Sequence, residues 1–303
     1  MLLEGRDPGG QQHPRVWHDQ LRHRRSGLRE DDLPDPPAAR HYRAPHRRRL
    51  QPGASPNTLA EGNDAVLKVQ LSGAEAGYTA NGLQITAADS TIKGLVIGRF
   101  GRSGIRVDGP GATGNRIEGN FVGIDPSGTR KAGNGGAGVR IRGGTANVVG
   151  GADPTQRNVI SCNGDCPDYG IGVRISSASD NVVQGNYIGT DRSGTRALED
   201  CRGVANSSGG VAIEGYDGIA ANNTVGGTAG GAGNIISGNS YGIWSGGSVN
   251  TANKVEGNFI GTDASGTTNV GNGQAGVAIF NLASSNTVGG TVDGAGNVIS
   301  ANV

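Results

Sequence analysis

The chain has 303 residues, 27 Lys and Arg against 26 Asp and Glu, a net charge of +1, and 57 Gly. The nearly neutral balance is uninformative by itself, and no apolar run reaches the roughly 18 residues a membrane-spanning helix needs. The Gly-rich segments lack a P-loop Lys and lead into no helix, which excludes a phosphate-cradling loop of that kind. Composition breaks near Leu50: residues 1–50 hold every His of the chain (His13, His18, His23, His41 and His46), many Arg and no Lys. They show no repeat and no strand period. Taken at face value they form a disordered basic arm that could bind nucleic acid or acidic surfaces, the third reading of this chain.

From Gln51 onward the chain repeats itself. Asn115 opens NRIEGNFVGIDPSGT, Asn181 opens NVVQGNYIGTDRSGT and Asn253 opens NKVEGNFIGTDASGT. Between them lie NVVGG from Asn147 and NTVGG from Asn223 and Asn286, then NVIS from Asn158, NIIS from Asn234 and NVIS from Asn297. Such self-similarity is the signature of a stacked solenoid. The apolar period is two, as in Val139-Arg140-Ile141, Val211-Ala212-Ile213 and Val277-Ala278-Ile279, which is strand spacing. A Gly-aliphatic strand begins at Gly82, Gly104, Gly138, Gly170, Gly210, Gly242 and Gly276, giving steps of 22, 34, 32, 40, 32 and 34 residues. The shortest step suffices for three short strands and three turns. The longer ones carry loops that alternate in place, one kind after Val-Gly-Gly and the other the GTDxSGT loop. The spacing therefore predicts an all-β solenoid of about seven coils with three strands each. Coils stack about 4.8 Å apart and bury columns such as Leu83, Ile105, Val139, Val173, Val211, Ile243 and Val277. Asn suits the turns, and like amides can bond up and down a stack.

These phrases (GNYIGTDRSGT, NTVGG, GAGNVIS, GVAI) resemble the right-handed parallel β-helix repeat proteins of bacteria, over roughly Gln51 to the C-terminus. QPGASPNT, from Gln51 to Thr58, is similar to a phrase just before the helix in members carrying an N-terminal CSLREA segment. The resemblance implies a right-handed parallel β-helix in a secreted or cell-surface protein. It also offers a second reading of residues 1–50. Codons exist for which Met1–Pro8, Gly10–Pro14 and His18–Arg24 read, one base shifted, CSLRGEIL, ANNTP and TINFAIG, and His46–Arg48 reads IDG. On that reading residues 1–50 are an out-of-frame translation outside the fold, the helix spans 51–303, and the solenoid alone is acidic. The chain stops at ISANV inside a repeat phrase without a polar cap, so truncation is expected.

Four groups of residues could carry chemistry. Cys166 and Cys201 lie in insertions at the same corner of successive coils, within plausible reach of a disulfide, while Cys162 could pair with either or all three could be thiols. Asp125, Asp191 and Asp263 recur in the GTDxSGT turn. They are weak candidates for calcium, against an Asx-turn in which Asp caps its own loop, and the loops stand two coils apart. Outward positions of the Gly-aliphatic strand run Gln84, Arg106, Arg140, Gly172 with Arg174, Ala212, Trp244 and Ala278. Arg binds carboxylates bidentately and an exposed aromatic can stack on a sugar; the alternative is a plain solvated strand face. By resemblance, hydrolases of this fold use clustered Asp with a His, and residues 51–303 have no His. No catalytic residues and no cofactor are expected. The expected molecule is a monomeric, extracellular, non-catalytic β-helix for surface display, adhesion or glycan contact, with no nucleic-acid partner. A polysaccharide lyase or glycoside hydrolase acting on an acidic polysaccharide is the alternative.

Overall fold

The computed structural model describes residues 53–164, 170–198 and 205–303. Within them the chain visits three sheets in rotation, one short strand at a time. Sheet one holds β1 (Val69–Ser72), β4 (Leu95–Gly98), β7 (Phe121–Val122), β10 (Val159–Ile160), β13 (Tyr187–Ile188), β17 (Ile235–Ile236), β21 (Phe259–Ile260) and β24 (Val298–Ile299). Sheet two holds β2 (Leu83–Ile85), β5 (Ile105–Asp108), β8 (Val139–Arg142), β11 (Ile171–Ser176), β14 (Gly209–Glu214), β18 (Ile243–Gly246) and β22 (Val277–Phe280). Sheet three holds β3 (Thr91–Lys93), β6 (Arg116–Glu118), β9 (Val148–Gly150), β12 (Val182–Gln184), β16 (Thr224–Gly226), β20 (Lys254–Glu256) and β23 (Thr287–Val288). Two further short strands, β15 (Ala220–Ala221) and β19 (Asn250–Thr251), pair at the corner between sheets two and three. Every neighbouring pair in these sheets is parallel, and one 3-10 turn at Pro154–Gln156 interrupts them. This is a parallel β-helix. No helix among the described residues is long and apolar enough to cross a membrane.

The core is a set of like-on-like columns. In sheet two Leu83, Ile105, Val139, Val173, Val211, Ile243 and Val277 stack in register, as the period predicts. Ile97, Val122, Ile160, Ile188, Ile236 and Ile260 do the same in sheet one, and Ile117, Val149, Val183 and Val225 in sheet three; from Ile97 to Ile260 these are fully buried. Burying each such side chain contributes roughly 1.5–3 kcal/mol. One strand differs from the sequence expectation. Arg174 pairs with Arg140 and Val173 with Val139, so Gly172 rather than Gly170 is the column mate of Gly138. Two glycines stand two apart at that strand, and strand period alone cannot choose between them. The column glycine is needed because the corner turns its Cα inward. A Cβ on Gly172 would lie 2.6 Å from both the Gly210 carbonyl oxygen and Ile188 Cγ2.

Three asparagine ladders run along the corners. Asn115–Asn147–Asn181–Asn223–Asn253–Asn286 precedes sheet three, Asn120–Asn158–Asn186–Asn234–Asn258–Asn297 precedes sheet one, and Asn134–Asn163–Asn206–Asn239–Asn272–Asn302 precedes sheet two. Each Nδ2 donates to the Oδ1 of the next rung at 2.7–3.2 Å. Most donate a second time to a backbone carbonyl, as Asn186 does to Val149 and Asn158 to Ile117. The ladders therefore satisfy corner backbone that no strand can reach.

The outer face of sheet one carries a second core. Val96, Phe121, Val159, Tyr187 and Ile235 stack outward in register and are buried with Ile124, Cys162 and Leu198. The GTDxSGT loops cover this face, and so does a strap formed by Asn57–Ala65. Arg157, buried and stacked over the Tyr187 ring at 4.5 Å, donates to the carbonyls of Leu59 (3.1 Å), Gly62 (2.6 Å) and Ala60 (2.7 Å). The Tyr187 hydroxyl accepts from the Gly62 amide at 2.7 Å, and Arg192 donates to the carbonyls of Asn63 and Ala65. Hydrogen bonds from a charged donor are worth about 1.5–3 kcal/mol each. Arg157→Met should therefore release the strap while the coils persist. Hydrogen exchange should show amides of residues 59–65 losing protection with those of Val159 and Ile188 unchanged; equal loss at both would contradict a latch confined to the strap.

Candidate functional site

Of the three outer faces, that of sheet one is covered, and that of sheet three is polar, with Lys93 and Arg116 both 3.3 Å from Glu118. Among the described residues, the outer face of sheet two combines ionic pairs with a stacked aromatic pair. Its outward column is the expected one: Gln84, Arg106, Arg140, Arg174, Ala212, Trp244 and Ala278 lie in register from β2 to β22. Exposure along it is uneven. Arg106 and Arg140 keep only 5% and 3% of their surface, whereas Arg174 and Trp244 are half-buried. Along this column Gln84 is exposed, Arg106, Arg140 and Ala212 are buried, and Arg174, Trp244 and Ala278 are partly exposed.

A second outward column, two residues further along each strand, runs Asp108, Arg142, Ser176, Glu214, Gly246 and Phe280. The Gly-aliphatic triplet ends before this column, and the same period of two, carried one step further along each strand, reaches it. The two columns interlock. Arg106 Nη2 is 3.1 Å from Asp108 Oδ2, and Arg174 contacts Glu214 Oε2 through Nη2 at 2.7 Å and Nε at 2.8 Å. Ser176 Oγ donates to the same Glu214 oxygen at 2.8 Å. The buried Glu214 carboxylate is thus held by charge-assisted donors, which offsets its desolvation.

Beyond Glu214 the face turns aromatic. Trp244 and Phe280 stack with ring centroids 5.5 Å apart and an interplanar angle of 20°. Tyr216, on the turn after β14, is 44% exposed, and its hydroxyl accepts from Asn281 Nδ2 at 2.9 Å. Burial raises the Tyr216 phenol above its ordinary range; the Asn281 donor opposes this and Glu214 adds to it.

The Asp loops resolve differently from the arginine face. Asp125 Oδ1 accepts from Ser127 Oγ at 2.6 Å and from the Arg130 amide at 3.2 Å. Asp263 Oδ1 accepts from Ser265 Oγ (2.8 Å) and the amides of Thr267 and Thr268 (3.1 Å each). Asp191 takes the Ser193 amide at 3.0 Å and Arg196 at 2.9 Å. Each carboxylate closes its own turn, and among the described residues no three His, Cys, Asp or Glu gather as a metal site. The loops are nevertheless not separate. The Arg192 amide donates to the Gly128 carbonyl at 2.9 Å and the Ala264 amide to Gly194 at 3.0 Å, so loops from alternate coils touch across the coil between them. The spacing of two coils, about 10 Å in the stack, is closed because the loops project past the strands and lean on one another.

Burial alone would raise the Asp263 carboxyl, but the amide and hydroxyl donors of Thr268, Ser265 and Thr267 outweigh it and hold it below its ordinary value. A depressed folded-state value means that stability is present above about pH 4 and is lost as pH falls through the folded value. Asp263→Asn keeps the Oδ1 acceptor and removes the titration. Its thermal midpoint between pH 5 and pH 2.5 should fall less than that of the wild type; an identical fall would contradict the assignment.

Cys162 holds φ +62° where the sister phrase has Gly238 at φ +79°, and its thiol lies 3.3 Å from the Leu198 carbonyl oxygen in the outer core. Cys166 and Cys201 lie outside the described residues, as do residues 1–52. No protein family, curated protein or solved structure matches the chain.

Proposed function

We propose that this β-helix is a non-catalytic extracellular or cell-surface module that contacts glycans along the outer face of sheet two. On this reading it is a right-handed member of the CSLREA-type bacterial repeat proteins, the hand that parallel crossovers favour in about 98% of cases. One observation carries the proposal: the outward column of sheet two sets Arg174 and Trp244 on one line of a rigid face, the aromatic beyond the ionic group. Arg recognises carboxylates and hydroxyl-rich ligands, and an aromatic ring offers an apolar plane for the ring face of a sugar. Stacked coils fix these groups at strand spacing, so little ordering is needed on binding.

A polysaccharide lyase or hydrolase is the second reading, and Glu214 is the acid it would need. That carboxylate is already engaged by Arg174 Nη2 and Nε and by Ser176 Oγ, which leaves little of it free to meet a substrate. Affinity electrophoresis in gels containing neutral or acidic polysaccharides, with reducing ends and unsaturated products assayed on the same mixtures, separates the readings. Retardation without product is expected. Product formation abolished by Glu214→Gln would establish the enzyme, and retardation by no polysaccharide would reduce the molecule to a spacer.

A further inference from the structure

Resting on the glycan reading, we infer that the corner where sheet one turns into sheet two, over the first three coils, is a second subsite for an anionic polysaccharide. Arg99, Arg102, Arg130 and Lys131 take its carboxylate or sulfate groups, and Tyr78 lies against a sugar ring.

Three successive turns, residues 73–82, 99–104 and 123–138, lead from β1, β4 and β7 into β2, β5 and β8. They stack on one another through the backbone. The Arg102 amide donates to the Ala80 carbonyl at 3.0 Å, and the Arg102 carbonyl accepts from the Gly136 amide at 3.1 Å. The Arg99 amide donates to the carbonyls of Ala132 (3.1 Å) and Gly133 (3.0 Å), which brings Lys131 to within a residue of that contact. Lys131 bridges Ile124 at the neck of its loop, with Arg130 beside it in the chain. A Cβ on Gly101 would lie 2.4 Å from Tyr78 Cα, so glycine there seats the Tyr78 turn against that of Arg102. Two coil steps cover about 10 Å along the axis, so the four cations and the phenol share one short stretch of surface.

These groups are accessible and uncompensated. Arg99, Arg130 and Lys131 are exposed, Arg102 is partly so, and Tyr78 keeps 94% of its surface. Among the described residues no carboxylate lies within ion-pair distance of any of the four cations. By contrast Lys93, Arg106, Arg116, Arg174 and Arg196 each meet an acid. The acids on the same turns are Glu75 and Asp125, and Asp125 is occupied by Ser127 Oγ and the Arg130 amide. The turn holds Arg99 at φ +66°, a place that Gly238 (φ +79°) and Gly271 (φ +70°) fill in sister turns, so a cation is kept there against the backbone preference.

The chemistry of the corner selects the ligand class. Arg binds carboxylate and sulfate oxygens through paired donors, Lys131 adds a point charge, and an exposed phenol offers a ring face to a sugar. A nucleic-acid duplex draws its affinity from neutralising many phosphates along two strands. Four cations confined to one corner of an acidic solenoid do not extend along a duplex, and they suit a single anionic strand crossing the turns.

The test uses the full chain and calorimetry at low salt. Hexagalacturonate and a heparin-derived hexasaccharide are the anionic probes, cellohexaose the neutral one and hexathymidylate a polyanion that is not a glycan. At least one anionic hexasaccharide should bind, and the tighter of the two identifies carboxylate or sulfate as the preferred anion. The double variant Arg102→Gln, Lys131→Gln should weaken that binding about tenfold and flatten its salt dependence, while Lys131→Arg keeps it. The double variant Arg47→Gln, Arg48→Gln removes the same charge from the basic first fifty residues and should change the affinity less than about threefold. Circular dichroism melts verify folding, and Lys131→Gln alone, with a smaller loss, carries the comparison should the corner double variant unfold. Anionic binding that survives the corner variants but is lost in Arg174→Gln would overturn the corner subsite while sustaining the glycan reading on sheet two. Equal losses in the corner and Arg47–Arg48 double variants, or tighter binding of hexathymidylate than of either glycan, would overturn it in favour of a general polyanion contact. Binding of neither anionic hexasaccharide would also overturn it, and the polysaccharide gels then decide the broader reading by themselves.

Discussion

Asn186→Ala should lower the unfolding free energy by about 3–6 kcal/mol. Asn186 is fully buried in the ladder before sheet one. Its Oδ1 accepts from Asn158 Nδ2 at 2.8 Å and from the Asn158 amide at 3.3 Å. Its Nδ2 donates to Asn234 Oδ1 (3.0 Å), Val149 O (2.9 Å) and Gln184 O (2.9 Å). Alanine leaves the Asn158 amide without its acceptor and removes the Nδ2 donor to Val149 O in a dry corner, while Asn234 Oδ1 keeps the Asn186 amide, Gln184 O the Gly151 amide and Asn158 Nδ2 the Ile117 carbonyl; each stranded buried group costs about 1–3 kcal/mol. Asn302→Ala, in the last rung, removes an amide that bonds Ile260 O and Ser300 O at a partly exposed site, where water can take over. Urea unfolding followed at a β-sheet circular dichroism band should therefore show a large midpoint shift for Asn186 and a small one for Asn302. Equal shifts would contradict the view that the ladders act by satisfying buried backbone. Asn186→Asp is a sharper variant. It keeps the acceptor and turns the other oxygen toward three acceptors, so it should be worse than alanine at pH 7 and recover part of the difference as the carboxyl protonates.

Gly150→Ala should cost more still and prevent the folded protein from accumulating. Gly150 sits at φ +87°, and an added Cβ would fall 2.0 Å from the Gln184 carbonyl oxygen and 2.4 Å from Asn186 Oδ1. Both atoms belong to the next coil, and neither can retreat without breaking the stack. The same geometry recurs at Gly123, Gly189, Gly226 and Gly261, where the next coil's carbonyl oxygen lies at 1.8–2.2 Å from the added carbon. Gly77 provides the comparison: φ is +81°, and nothing lies within 4 Å. Gly77→Ala meets only the left-handed backbone penalty of about 1–2 kcal/mol. Soluble yield and thermal midpoint for the two variants separate coil contact from backbone strain. A Gly150→Ala protein melting like Gly77→Ala would show that adjacent coils are not packed this closely.

Much of this architecture was legible in the sequence. Period-two triplets such as Val139-Arg140-Ile141 located the strands, and the alternation of NTVGG with GTDxSGT placed the loops, because both are local and repeated. The Arg106–Arg140–Arg174–Trp244 line also followed from strand period alone. The features that escaped depend on chain passing over chain. Phe121 and Tyr187 carry the same period as solvent-facing residues, yet the strap and loops bury them. The Asp191 loop rests on Gly128, two coils away in sequence, which coil spacing alone places out of reach. Arg106 and Arg140 occupy outward positions and are nearly buried, while Glu214 and Phe280 complete the face from a column that the Gly-aliphatic triplet does not include.

The most direct measurement is a crystal structure of the full chain grown with an oligosaccharide of a polysaccharide that retards it in affinity electrophoresis. Sugar density on the outer face of sheet two against Arg174 and Trp244, with its glycosidic bonds uncut, is the predicted result. Sugar density on sheet three or at the Asp125, Asp191 and Asp263 loops, or a cleaved oligosaccharide beside Glu214, would contradict a non-catalytic binding face on sheet two.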